Sequence, residues 1–178
     1  FFGLSSVPAY FLIQKIFSLL NTFHLAFISP YSVKFTNNAA NDAWIKSNKI
    51  VNVLIFKITI PFFTVFGLLI LFFHSELIQI WSDKLIINYN ACLFFLVSCL
   101  LLGISNIYSV FLNSHGLFNF QVRLSLLYFV IFAVSFLISK NIFGEYSIVF
   151  SSIPSSIVVL IFYKNYFKKV IDNKIYSI

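Results

Sequence analysis

Apolar residues in this chain come in runs about as long as a bilayer's hydrocarbon layer is thick, and polar residues gather in short clusters between them. A transmembrane helix needs about 20 mainly apolar residues, so each run predicts one crossing. Five spans are expected, at residues 7–31, 51–73, 89–111, 120–138 and 146–163. The fifth is the shortest and is diluted by Ser151, Ser152, Pro154, Ser155 and Ser156. Small residues and proline are tolerated where a helix packs on its neighbours in a bundle. Pro61, inside the second span, is expected to bend it, because proline lacks the backbone donor and its ring clashes with the preceding turn. The polar segment 34–49 (KFTNNAANDAWIKSNK) predicts a short helix along the membrane surface, with Trp44 at headgroup depth. Segment 75–88, with Trp81, is expected to lie in the opposite interface, and 164–178 to form a basic tail. The fold class is therefore an all-α, polytopic membrane helix bundle.

Composition agrees with this pattern. The chain is 60% hydrophobic and 10% charged, against about 25% charged residues in an average soluble domain. It opens with Phe-Phe and contains no Met, so the expectation is a piece of a longer protein. The first fifteen residues lack the ordered basic, apolar and cleavage-site regions of a signal peptide. Cys92 and Cys99 stand seven apart in one apolar run and read as packing residues, since the spacing of a metal or redox pair is absent.

The net charge of +7 does not point to nucleic acid, because the cations sit at the ends of apolar runs and no nucleic-acid motif accompanies them. Lys34, Lys46, Lys49, Lys57, Arg123, Lys164, Lys168, Lys169 and Lys174 fall on one side of the predicted topology, and only Lys84 and Lys140 on the other. By the positive-inside rule, the connections near Asn41 and His115 and the C-terminus are cytoplasmic, and the chain starts outside.

No catalytic constellation is present. His24, His74 and His115 are scattered, and the zinc-protease, hydrolase and nucleotide-binding motifs are missing. No cofactor or metal is expected. The informative residues are polar ones inside spans, where an ionisable group costs roughly 2.5–3.5 kcal/mol on insertion scales. Lys15 stands one to two turns into the first span, beside Gln14 and before Asn21, Thr22 and His24. Lys15, Asn21 and Thr22 can share a helix face and make a candidate substrate site, where the cation would meet an anion such as phosphate. The alternative is that Lys15 snorkels to the headgroups, as Lys57 and Arg123 are expected to do. Asn106, Asn113 and Gln121 are candidates for hydrogen bonds between helices.

Several segments together resemble the C-terminal part of the polysaccharide-biosynthesis flippases of the O-antigen type, within the superfamily that includes multidrug exporters. Tyr10-Phe-Leu-Ile-Gln-Lys15-Ile is similar to that family's aromatic-to-cation segment, followed by Pro30 and a polar loop. Ile78-Gln-Ile-Trp81 resembles an outer segment ending in Trp, with Ser82-Asp83 where a Gly is usual. Phe111-Leu-Asn-Ser-His-Gly116, with Gln121 beyond it, is similar to an inner turn. Phe143-Gly144-Glu-Tyr-Ser resembles the last outer turn, without a second Gly. The resemblance implies the last five helices of a twelve-helix-type protein of the bacterial inner membrane. Its expected substrate is a polyprenyl-pyrophosphate-linked oligosaccharide, moved by alternating access among membrane lipids and other polysaccharide-assembly proteins. Of the family's basic positions, only Lys15 matches.

Three alternatives stand beside it. A multidrug or small-solute exporter of the same superfamily would be favoured by an acidic residue within a span, and Asp42, Glu76, Asp83, Glu145 and Asp172 all fall in predicted loops or the tail. A membrane-embedded polysaccharide polymerase or glycosyltransferase would be expected to carry a long charged outer loop. A purely structural subunit would lack a buried charge, which sets Lys15 against it.

Overall fold

The computed structural model describes residues 7–80 and 89–175. Helices α1 (Val7–Ile28) and α2 (Tyr31–Ala40) are followed by α3 (Trp44–Val53), a π-helical turn (Leu54–Thr59) and α4 (Ile60–Phe72). After these come α5 (His74–Gln79), α6 (Tyr89–Ser114), α7 (Phe118–Phe143), a 3-10 turn (Gly144–Tyr146) and α8 (Ser147–Ile175). Five stretches are long and apolar enough to cross a membrane: Phe11–Ala40, Trp44–Phe72, Tyr89–Ser114, Phe118–Phe143 and Ser147–Asn173. The chain is an all-α bundle of a multi-pass membrane protein.

Helix ends follow from local chemistry. α1 stops at Ile28, before Pro30, and the chain resumes as α2 immediately after it, as expected from proline's bias against a helical predecessor. α6 ends in a Schellman motif, in which the Leu117 N–H reaches the Leu112 carbonyl at 3.1 Å and the Gly116 N–H reaches that of Asn113 at 3.0 Å. Gly116 takes φ +71° there, a left-handed conformation that a Cβ would disfavour. The turn after α2 places Asp42 at φ 50°, and aspartate is among the few non-glycine residues that tolerate this region.

α6 is the centre of the bundle. α1 and α4 lie along one flank, α8 lies along the other, and α7 packs chiefly on α8 and scarcely touches α6. At one end α1, α4 and α6 enclose Ile13, Phe17, Phe63, Ala91 and Cys92. At the other, Phe35, Trp44, Leu54, Phe111, Leu112 and Phe167 join α2, α3, α6 and α8 in a second core. That second end carries the exposed Lys34, Lys46, Lys49, Arg123, Lys164, Lys168 and Lys169. The 41–43 turn, the 115–117 turn and the last turns of α8 thus share one basic end of the molecule.

Three expectations need correction. Segment 34–49 is not one short separate helix, because α2 and α3 continue the first two apolar stretches through it as a helical hairpin. Its sparse apolar residues decide this: Phe35 packs edge-on against Phe111 at 5.3 Å, and Trp44 is buried over His115 at 5.1 Å. Trp44 is therefore a core residue of the basic end and not a headgroup anchor. Residues 164–175 continue α8, since Phe167 and Ile171 remain buried one turn apart on its inner face. In segment 75–88, α5 reaches Gln79, while Trp81, Ser82, Asp83 and Lys84 lie outside the described residues.

α4 approaches α6 through two glycines. A Cβ on Gly67 would overlap the Leu96 side chain, and one on Gly103 would overlap the Phe63 ring edge. On α8 the buried Ser151, Ser155 and Ser156 return their hydroxyls to carbonyls one turn earlier. They leave a shallow surface against which α6 and α7 settle, through Ser98···Ser156 at 3.2 Å and Ser139···Ser151 at 3.1 Å. This is the small-residue packing by which helices associate in lipid, where burial of apolar surface drives nothing. Cys92 and Cys99 are free and buried within the α6 packing.

Candidate functional site

Polar groups within the spans gather on both flanks of α6. On the α1 flank, Lys15 and Thr22 stand exposed on one side of α1. Lys15 Nζ lies over the Phe11 ring at 5.0 Å, one turn toward the start of the helix, and Thr22 donates to the Ser18 carbonyl at 2.9 Å. Asn21 points another way, because six residues rotate a helix by about 240° from Lys15. It is half-buried and accepts a hydrogen bond from Asn106 Nδ2 at 3.1 Å. The three residues of the sequence-derived site thus divide: Lys15 and Thr22 share an open face, and Asn21 joins α1 to α6.

Deeper on this flank is a contact the sequence pattern did not single out. His24 is fully buried, and its Nε2 lies 2.8 Å from Thr59 Oγ1 on the π turn. The ring sits between Phe62, at 5.6 Å, and Phe63, at 5.0 Å, and its Nδ1 is enclosed without a hydrogen-bond partner among the described residues. The π turn ends just ahead of Pro61, so the missing N–H of that proline and the extra residue in the turn weaken the helix at one level. His24 pins α1 to that weak point. Pro61 with a polar Thr two residues before it was the available signal, but the partner on another helix is invisible without the fold.

On the other flank, α6 and α7 diverge above α8 and leave a groove of about 340 Å³. Ser105, Asn106, Ser125, Tyr128 and Tyr163 line it among Leu102, Leu124 and Val159. At its basic end Gln121 Nε2 donates to Ser109 Oγ at 2.6 Å and to the Ser109 carbonyl at 3.1 Å. Asn106 belongs to both flanks, because it lines the groove while holding Asn21.

No family model, curated protein or solved structure matches this chain. The site therefore rests on its own geometry. Of the predicted interhelical hydrogen bonds, those of Asn106 and Gln121 join helices, whereas Asn113 Oδ1 is buried without a partner among the described residues. Lys57 and Arg123 are exposed. Among the described residues, no three His, Cys, Asp or Glu side chains gather in reach of one metal ion. The arrangement is suited to holding polar matter inside a membrane by hydrogen bonds, with one cation on the outer face of α1.

Proposed function

We propose that this chain is part of a flippase that moves a polyprenyl-pyrophosphate-linked oligosaccharide across the bacterial cytoplasmic membrane by alternating access. In that proposal it supplies the last five helices of a longer transporter, with its basic end and C-terminus in the cytoplasm. The observation that carries it is the division of polar groups about α6: a cation, Lys15, on the open face of α1, and an uncharged, hydroxyl-lined groove on the other flank of α6. A pyrophosphate needs a cation and a glycan needs hydroxyl and amide partners, and these helices carry both on stretches apolar enough to cross a membrane. The segmental resemblance supports the same substrate. The π turn before Pro61 offers a place where α4 can bend during a transport cycle. Charged partners add to this: seven exposed cations at one end favour the cytoplasmic face for that end.

The test is restoration of surface polysaccharide in flippase-deficient bacteria by the complete gene product that contains this chain. Lys15→Ala at unchanged membrane abundance is expected to abolish restoration, and Lys15→Arg to retain most of it. Full restoration by Lys15→Ala would remove the role given to that cation.

A further inference from the structure

The groove between α6 and α7 carries polar atoms that the fold itself leaves unused. Ser125 Oγ has no hydrogen-bond partner among the described residues, and neither has Asn106 Oδ1, since only the Asn106 amide nitrogen is engaged, with Asn21. Ser105 spends its proton on the Leu101 carbonyl at 2.9 Å and keeps its lone pairs toward the groove. At 1.5 Å per residue, Ser105 and Asn106 lie about 6 Å from the midpoint of α6, and Ser125 about 8 Å from that of α7. The hydrocarbon half-thickness is about 15 Å. These groups therefore face a lateral opening at a depth where lipid tails offer no hydrogen bond, and a polar group left unmatched there costs several kcal/mol.

The chemistry of the lining narrows what meets them. Among the described residues no Lys, Arg, Asp, Glu or His lines the groove, and Arg123 stands exposed about 200° around α7 from Ser125. A charged head would find no counter-charge. What the groove offers is an amide oxygen, two serine hydroxyls and two tyrosines, which is a set of neutral acceptors, neutral donors and flat apolar ring faces. A volume of about 340 Å³ lies within the range of small-ligand pockets, roughly 300–1,000 Å³.

We propose that the groove between α6 and α7, floored by α8, is a binding site for the neutral, hydroxyl-bearing head of a lipid: a sugar or similar polyol entering sideways from the membrane. In giving the groove to a sugar this rests on the flippase reading above, but the site needs no transport to fill, so its failure and that of the flippase proposal are distinguishable. Binding without polysaccharide restoration would leave the groove standing, and restoration without binding would leave the flippase standing.

The probe is an alkyl glucoside carrying a photoreactive diazirine, applied to the full chain in nanodiscs of phosphatidylcholine, which contains no sugar. Crosslinks mapped by mass spectrometry are expected to concentrate on α6 and α7 around Asn106 and Ser125, and to be displaced by alkyl maltoside but not by alkyl phosphocholine. Ser125→Leu fills the groove from an exposed position, where folding is not at stake, and is expected to cut labelling about five- to tenfold, whereas Ser125→Thr retains it. Monoglucosyl diacylglycerol and a polyprenyl-linked oligosaccharide then compete separately. Displacement by either supports the site and shows which lipid class supplies the head, and displacement by neither overturns it. Labels spread evenly over lipid-facing helices, equal competition by phosphocholine, or unchanged labelling of Ser125→Leu would each overturn the proposal. Loss of self-association in Ser125→Leu with labelling unaffected would assign the groove to a partner helix instead.

Discussion

Gly103 offers a quantitative test of how α4 and α6 are held together. A Cβ at this position would overlap the edge of the Phe63 ring, and one at Gly67 would overlap the methyls of Leu96. Both substitutions to Ala gain the same helix propensity, about 1 kcal/mol, so their difference isolates the contact. Leu96 is only partly buried and meets the new methyl with its flexible end, and a side-chain rotation costing about 0.5–1.5 kcal/mol relieves it. Phe63 has no such freedom. It is 1% exposed, with the His24 ring at 5.0 Å and the Phe62 ring at 5.4 Å, so moving it disturbs the His24–Thr59 contact as well. Overpacking of a closed core costs about 1–3 kcal/mol. Gly103→Ala is therefore expected to be less stable than Gly67→Ala by about 1–2 kcal/mol, and Phe63→Leu in the Gly103→Ala background to recover part of the loss. The readout is the maleimide reactivity of the two native buried cysteines, Cys92 and Cys99, during a titration of mild-detergent micelles with dodecyl sulfate. Coincident unfolding midpoints for the two Ala variants, or no recovery on adding Phe63→Leu, would refute the close-contact explanation.

The same assay tests the other contacts around α6. Thr59→Val leaves His24 Nε2 buried without a partner and is expected to cost about 1–3 kcal/mol, while the double change His24→Phe with Thr59→Val, which removes both polar ends, should lie closer to the parent. Equal losses in the single and double variants would show that the hydrogen bond is not the cause. Asn21→Leu and Asn106→Leu should be less than additive when combined, by about 0.6 kcal/mol and at most about 1.7 kcal/mol, the coupling measured for hydrogen bonds between membrane helices. For orientation, the proposed topology places the exposed 41–43 turn in the cytoplasm. A cysteine replacing Asn41 should then react with an impermeant maleimide only in inside-out vesicles, and labelling in intact cells would invert the assignment.

Crossing helices and their number were legible in the sequence because lipid makes a local demand: each span must be apolar for about 20 residues and satisfy its backbone within itself. No partner helix is needed for that pattern to exist, and the positions of Pro30, Pro61 and Gly116 could be read for the same reason. Pairing was not legible. Asn21, predicted to share a face with Lys15, turns instead to Asn106, 85 positions along the chain. His24, seen only as one scattered histidine, closes on Thr59, 35 positions away. Phe35 and Trp44, the two aromatic residues of a mainly polar segment, draw α2 and α3 against the bundle because Phe111 and His115 stand opposite them. The groove arose in the same way, from the divergence of α6 and α7 over the serine-lined face of α8. Hydropathy is a property of one segment and survives in the sequence alone, whereas a hydrogen bond or cavity between helices depends on rotation and separation, which only packing decides.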